Sequence, residues 1–228
     1  MAKHDEMTFL TPMGSRWFPD DAPPEGQRAA LYRLAAAVRE TIALLADTEA
    51  GEAALYEAAT ALETYNARLG QAPRHRGLWG YAESSNAGTP TGMFDSSPII
   101  GAANPLSPPL SARIIDGRVE ATATFGTPYE GPPASVHGGM IAAAFDEVLG
   151  MAQSTTGAGG MTGTLTIKYR NPTPLHREVR FVGWVERVEG RKIFARGTLH
   201  AGEILCAEAD AIFITVDFSR MQEMARNR

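Results

Sequence analysis

Ser135-Val136-His137-Gly138-Gly139-Met140-Ile141-Ala142-Ala143-Ala144-Phe145-Asp146-Glu147-Val148-Leu149-Gly150-Met151 is the stretch on which the fold turns. Residues of a helix stand about 100° apart. On that wheel Met140, Ile141, Ala144, Phe145, Val148, Leu149, Met151 and Ala152 fill one half. Ala142, Ala143, Asp146, Glu147, Gly150 and Gln153 fill the other. The pattern predicts one helix from about Gly138 to Gln153, apolar enough on one face to demand a sheet beneath it. The opposite face is unusual. A solvated helix face normally carries several long charged side chains, yet here Asp146 is ringed by Ala142, Ala143 and Gly150. Such small neighbours admit close approach of a ligand or a second chain. The plainer alternative is a solvent-facing acid among good helix formers.

The start of the helix adds chemistry. The first backbone N–H groups of a helix lack internal partners and carry the positive end of its dipole. Glycine exposes them, so His137-Gly138-Gly139 can hold an oxygen that turns negative. Asp146 lies about 12 Å further along the axis by rise alone, too far to share a small reacting group with Gly138 of its own helix. An antiparallel partner helix would bring its own acid opposite that N-terminus, so the pattern asks for a site shared between two subunits.

Strands flank the helix. Arg113–Ile115 and Val119–Phe125 surround Asp116-Gly117, a strong hairpin signal. After the helix come four strand runs, Gly163–Arg170, Glu178–Val188, Lys192–His200 and Ile204–Val216, expected as an antiparallel meander. Alternation is clear where Leu165, Ile167 and Tyr169 oppose Thr166, Lys168 and Arg170. Ile193, Ala195, Gly197 and Leu199 likewise oppose Phe194, Arg196, Thr198 and His200. The expected class is α+β, with residues 110–218 as the main domain and 219–228 as a tail.

The first half differs in character. Residues 1–24 form an arm broken by Pro12, Pro19, Pro23 and Pro24, which Trp17 and Phe18 could pin to the body. Residues 25–70 carry helical periodicity over Gln27–Ala46 and Glu52–Leu69, expected as an antiparallel hairpin that serves packing or oligomerisation. Residues 71–109, rich in Gly, Pro, Ser and Asn but studded with Trp79, Phe94, Ile99 and Ile100, read as an ordered wrap over the core.

Composition narrows the function. The 228 residues carry a net charge of −5 with 21% charged residues, which gives no general attraction to nucleic acid or anionic membranes. The single cysteine, Cys206, rules out an intramolecular disulfide and fits a reducing cytoplasm. No apolar run approaches the ~18–20 residues of a membrane span, and Met1–Met7 precede no apolar signal-peptide region. His4, His75, His176 and His200 have no partners at metal-ligand spacing, so no metal is expected. Gly157-Ala158-Gly159-Gly160 lacks the ending of a phosphate loop, and no Gly-x-Ser-x-Gly elbow occurs.

Val136-His137-Gly138-Gly139 through Asp146 to Gly150 resembles the signature of the PaaI-type hotdog thioesterases, and is especially similar to the acyl-CoA thioesterase superfamily members. Thr162, Tyr169-Arg170-Asn171-Pro172-Thr173-Pro174-Leu175 and Glu189-Gly190-Arg191-Lys192 follow in the same order. The likeness covers roughly Phe94 to Val216. It implies a hotdog fold, with a bent antiparallel sheet wrapped around the Gly138–Gln153 helix, and homodimers that often pair into homotetramers. It implies hydrolysis of acyl-CoA with no cofactor beyond the coenzyme A of the substrate. Asp146 then acts as general base on water or as nucleophile, the Gly138 N–H polarises the carbonyl, His137 orients the substrate, and Thr162 from across the subunit boundary helps hold the water. Burial among Ala142, Ala143 and Gly150 would make the carboxylate a stronger base.

Gly139 and Phe94 are further candidates for substrate contact. Lys168, Arg170, Arg191 and Lys192 are the basic residues expected nearest the coenzyme A phosphates. Two other functions stay open. A hotdog hydratase or dehydratase would pair His137 with an acid such as Asp146 to move protons. A non-catalytic acyl-CoA-binding or sensing protein would need no carboxylate at position 146.

Overall fold

The computed structural model describes residues 23–73, 95–108 and 110–216. The arm with Trp17 and Phe18, the stretch with His75, Trp79 and Phe94, and the tail from residue 217 lie outside the described residues.

Six strands form one antiparallel sheet: β1 (Ser111–Ile115), β2 (Arg118–Thr124), β3 (Gly160–Tyr169), β4 (Glu178–Glu189), β5 (Lys192–Ala201) and β6 (Ile204–Thr215). Their spatial order is β1-β2-β4-β5-β6-β3. Tight turns explain most of it. Asp116 and Gly117 both have positive φ, 51° and 74°, as the favoured two-residue hairpin turn requires. Gly190 and Gly202 supply positive φ between β4 and β5 and between β5 and β6.

The expected four-strand meander is corrected at one point. Of the last four strands only β4, β5 and β6 are consecutive neighbours; β3 pairs with β6 and β2 with β4. The link from β3 to β4 holds Pro172 and Pro174 and bridges back to Ser135. Neither proline can donate to a ladder, so the chain crosses over instead of turning tightly. As a result β3 is an edge strand.

The central helix, α3 (Gly138–Ser154), packs against β2, β3, β4, β5 and β6. Ile141, Ala144, Phe145, Val148, Leu149, Met151 and Ala152 are buried, as the wheel predicts. They meet the inward residues of the sheet, among them Val119, Phe181, Ile193, Leu199 and Phe213. Phe145 and Phe181 stack edge to face at 5.2 Å. Gly183 and Gly197 face each other across β4 and β5. A Cβ on Gly197 would stand 2.9 Å from the Val182 carbonyl oxygen and 3.1 Å from Leu149 Cδ2. The glycine pair therefore lets the helix seat on the sheet.

Two helices precede the sheet, α1 (Gly26–Asp47) and α2 (Glu52–Leu69). They do not bury a common face as the expected hairpin would: every residue of α2 is exposed, and Ala35 is the one fully buried residue of α1. Instead α1 is tied to residues 95–108. Arg28 donates to both carboxylate oxygens of Asp95, at 2.9 and 3.1 Å, and the Tyr32 hydroxyl donates to the same carboxylate. Burial first, and then Asp95, push that hydroxyl's pKa up. Arg39 donates to the carbonyls of Ser107 and Asn104, both at 2.9 Å. The strapped segment inserts Ile100 into the core, and Leu110 follows it there. Among the described residues no helix is long and apolar enough to cross a membrane.

Candidate active site

The site begins where α3 begins. His137 is the N-cap, and its Nδ1 accepts from the Gly139 N–H at 3.0 Å. The Gly138 N–H has no acceptor among the described residues. Its isolation follows from helix geometry, because the first N–H groups point out of the helix. Gly131 permits the approach: a Cβ there would lie 2.7 Å from His137 Cα.

Eight residues on, Asp146 lies on the face that the sheet leaves open and is exposed in the single chain. Its Oδ1 accepts from the Thr162 hydroxyl at 2.7 Å. Thr162, expected to help hold the water from across the subunit boundary, donates here to the carboxylate of its own chain. The reason lies in a bulge. The register of β3 against β6 shifts between Thr162 and Thr164, leaving Gly163 as the extra residue. Were Gly163 paired in regular alternation, Thr162 would share the outward face of Thr164 and Thr166. The bulge re-aims it to the helix side, opposite the buried Phe213. A glycine inside a strand pattern was the sequence signal for this. The burial expected around Asp146 is not supplied by its own chain.

Tyr169 enters the site unanticipated. At the other end of β3 it faces the helix with Leu165 and Ile167, and its hydroxyl donates to the Gly138 carbonyl at 2.8 Å. Its presence in the Tyr169-Arg170-Asn171-Pro172 run was visible, but nothing there revealed which way it points. β3 thus carries a contact to each half of the site, Thr162 at Asp146 and Tyr169 at Gly138.

The basic candidates stand elsewhere. Lys168 and Arg170 point to the outer face of β3 and pair with Asp210 (3.6 Å) and Glu208 (2.7 Å) on β6. Asp210 also holds Arg196 at 2.9 Å, and Arg196 reaches Glu186. The two charges belong to a cross-strand ladder of ion pairs, so the structure does not bring them to Asp146 or Gly138. Arg191 donates to the Thr215 carbonyl at 3.0 Å in the β4–β5 turn. Lys192, beside it, has no ion pair among the described residues. Phe94 lies outside the described residues. Glu147, next to Asp146, accepts from Ser97 at 3.4 Å. Among the described residues no group of three or more His, Cys, Asp or Glu side chains could hold a metal ion.

A six-stranded antiparallel sheet packed on one central helix is a hotdog fold. Comparison agrees. A family model described as the thioesterase superfamily matches residues 134–208. A solved thioesterase superfamily protein is 32% identical, with a TM-score of 0.73, covering 85% of this chain and 97% of its own. The chain belongs to the thioesterase superfamily. Among curated relatives, acyl-coenzyme A thioesterase THEM4 of Xenopus laevis is 42% identical over 90 residues, 38% of this chain and 40% of the relative. The Mus musculus protein of that name is 36% identical over 94 residues, 40% of each. The matched region thus spans about 40% of the length of these relatives.

Proposed function

We propose that this protein hydrolyses acyl-CoA thioesters to the free acid and coenzyme A, at a site completed by a second copy of the chain. The observation that carries the reading is the hydrogen bond from Thr162 to Asp146 on the open face of α3. It leaves Oδ2 of the carboxylate free to take a proton from water or to attack the thioester carbon. The kinship to acyl-coenzyme A thioesterases supports the substrate class.

The second copy follows from distance and from the edge strand. One chain cannot place its Asp146 against its own Gly138, about 12 Å up the same helix. β3 is unpaired on one side, and most of its residues are exposed. An antiparallel copy related by a two-fold axis at Thr166, with Gly163 bulged out of the ladder, would set Thr162 opposite Tyr169 of the partner subunit. Each carboxylate would then face the other protomer's Gly138 N–H. That N–H would hold the oxygen as the tetrahedral intermediate forms. Water adds to the carbonyl carbon, its proton passes to Asp146, and the thiolate of coenzyme A leaves. We propose a homodimer or dimer of dimers in the cytoplasm, with no cofactor beyond the coenzyme A of the substrate, no metal, and neither nucleic acid nor membrane as partner.

Of the alternatives, the hydratase reading needs His137 paired with Asp146. His137 Nδ1 is instead taken by the Gly139 N–H, and Asp146 by Thr162. The test is thiol release from short-chain, long-chain and aromatic acyl-CoAs, with Asp146→Asn alongside. Hydrolysis by the native chain, lost in a variant that still binds acyl-CoA, is the expected result. Native hydrolysis in Asp146→Asn would refute the mechanism, and binding without hydrolysis in the native chain would favour the sensing protein.

A further inference from the structure

The peptide joining Gly138 to Gly139 is gripped at both ends by side chains. Its carbonyl accepts from the Tyr169 hydroxyl at 2.8 Å, and its N–H donates to His137 Nδ1 at 3.0 Å. An accepting Nδ1 carries no hydrogen, so the neutral imidazole holds its proton on Nε2. The groups thus form one continuous chain, from the tyrosine O–H through the amide to the imidazole. Donation to an amide carbonyl polarises the amide and strengthens its N–H as a donor.

The fold does not need the first of these bonds. Helix heads lack acceptors for their N–H groups, while a carbonyl in the first turn already has its intrahelical partner. In the single chain Tyr169 is 54% exposed, so there its hydroxyl could turn to water without cost to the fold. Its ring nevertheless lies against the helix head: a Cβ on Gly138 would stand 3.2 Å from the hydroxyl oxygen and 3.3 Å from Cζ. Glycine at 138 makes room for this contact.

We propose that Tyr169 is a positioning residue that acts through the Gly138–Gly139 peptide to hold His137 as an Nε2–H donor. His137 then stands beside the Gly138 N–H as a second donor to the thioester oxygen. The role rests on the thioesterase reading above. Tyr169 touches no reacting atom; it fixes the rotamer and tautomer of a residue that does.

The experiment combines imidazole 15N NMR with kinetics of the full chain and of Tyr169→Phe, His137→Ala and the double variant. In the native protein the His137 signals report the Nε2–H tautomer. In Tyr169→Phe they shift toward a tautomer mixture, and kcat falls about two- to tenfold, the scale of one hydrogen bond, while KM stays within about twofold. Placed on His137→Ala, the tyrosine change costs nothing more, since both act through one group. An Nδ1–H tautomer in the native protein overturns the proposal without any variant. Unchanged kcat in Tyr169→Phe, or losses that add in the double variant, overturns it while leaving the thioesterase reading intact. A native protein that hydrolyses none of the acyl-CoAs overturns both.

Discussion

Replacing Gly138 by alanine separates the stability role of the helix head from its chemical role. The added Cβ would stand 3.2 Å from the Tyr169 hydroxyl oxygen, 3.3 Å from Cζ and 3.5 Å from Cε1. These contacts are tight but not prohibitive, and what they press on is the far end of an exposed side chain. The ring can swing outward at the cost of its hydrogen bond to the Gly138 carbonyl, about 0.5–1.5 kcal/mol. Alanine regains part of the ~1 kcal/mol by which it exceeds glycine within a helix. The two nearly cancel, so stability should change by less than about 1 kcal/mol, or about 2–4 °C in Tm for a chain of this size. Activity should respond differently. A methyl beside the Gly138 N–H obstructs the oxygen that this donor serves, and losing one such donor costs about 10²–10³ in kcat. Thermal melting and thiol release measured on the same preparation test both halves. A variant that melts normally and hydrolyses at the native rate would show that the Gly138 N–H is not the oxyanion donor. A fall in Tm of more than about 8 °C would show that the glycine serves the fold first.

Three further outcomes follow from single contacts. Thr162→Val removes the 2.7 Å donor to Asp146. The bond is charge-assisted but exposed and screened by water, so about 1 kcal/mol, or a fivefold loss of kcat/KM, is expected, with Thr162→Ser retaining activity in the same thiol assay. Gly197→Ala forces a Cβ to 2.9 Å from the Val182 carbonyl oxygen and 3.2 Å from Phe145 Cε1. Overpacking of about 1–3 kcal/mol, less about 0.4–1 from a stiffer unfolded chain, should lower Tm by several degrees in calorimetry and leave the rate at 25 °C unchanged. Arg28→Ala leaves the Asp95 carboxylate, whose side chain is only 15% exposed, without its cation and with the Tyr32 hydroxyl as its remaining donor. A loss of about 1–3 kcal/mol in urea unfolding is expected, and a midpoint equal to the native one would show that α1 is not strapped to the body.

The fold was legible where local chemistry is self-sufficient. The amphipathic period from Met140 to Ala152 and the turn at Asp116-Gly117 need no distant partner to be read, and both match the structure. The strand order was not legible, because β3 and β6 are joined by a register that no local pattern encodes. The same limit governs the charges. Lys168 and Arg170 look free in the sequence, since their partners Asp210 and Glu208 lie about 40 residues away, and only the cross-strand register reveals the pairing. The exposed face of α2 was invisible for a related reason: a periodic helix shows that it has an apolar side, not whether its own chain covers it.

The site divides along the same line, and β3 explains why. Asp146 and Gly138 could be named because both sit on one helix whose periodicity is its own ruler. Thr162 faces Asp146 because Gly163 is bulged out of the ladder and does not count in the strand's alternation at that end. Seven residues later Tyr169 meets Gly138 on the same face because no further shift intervenes. A single-residue insertion or deletion within 164–168 would therefore turn one of these side chains to the outer face while leaving the other in place. One strand thus sets the carboxylate at one end and the helix head at the other. The spacing between the two is fixed by backbone pairing to β6 and not by contact between Asp146 and Gly138 themselves.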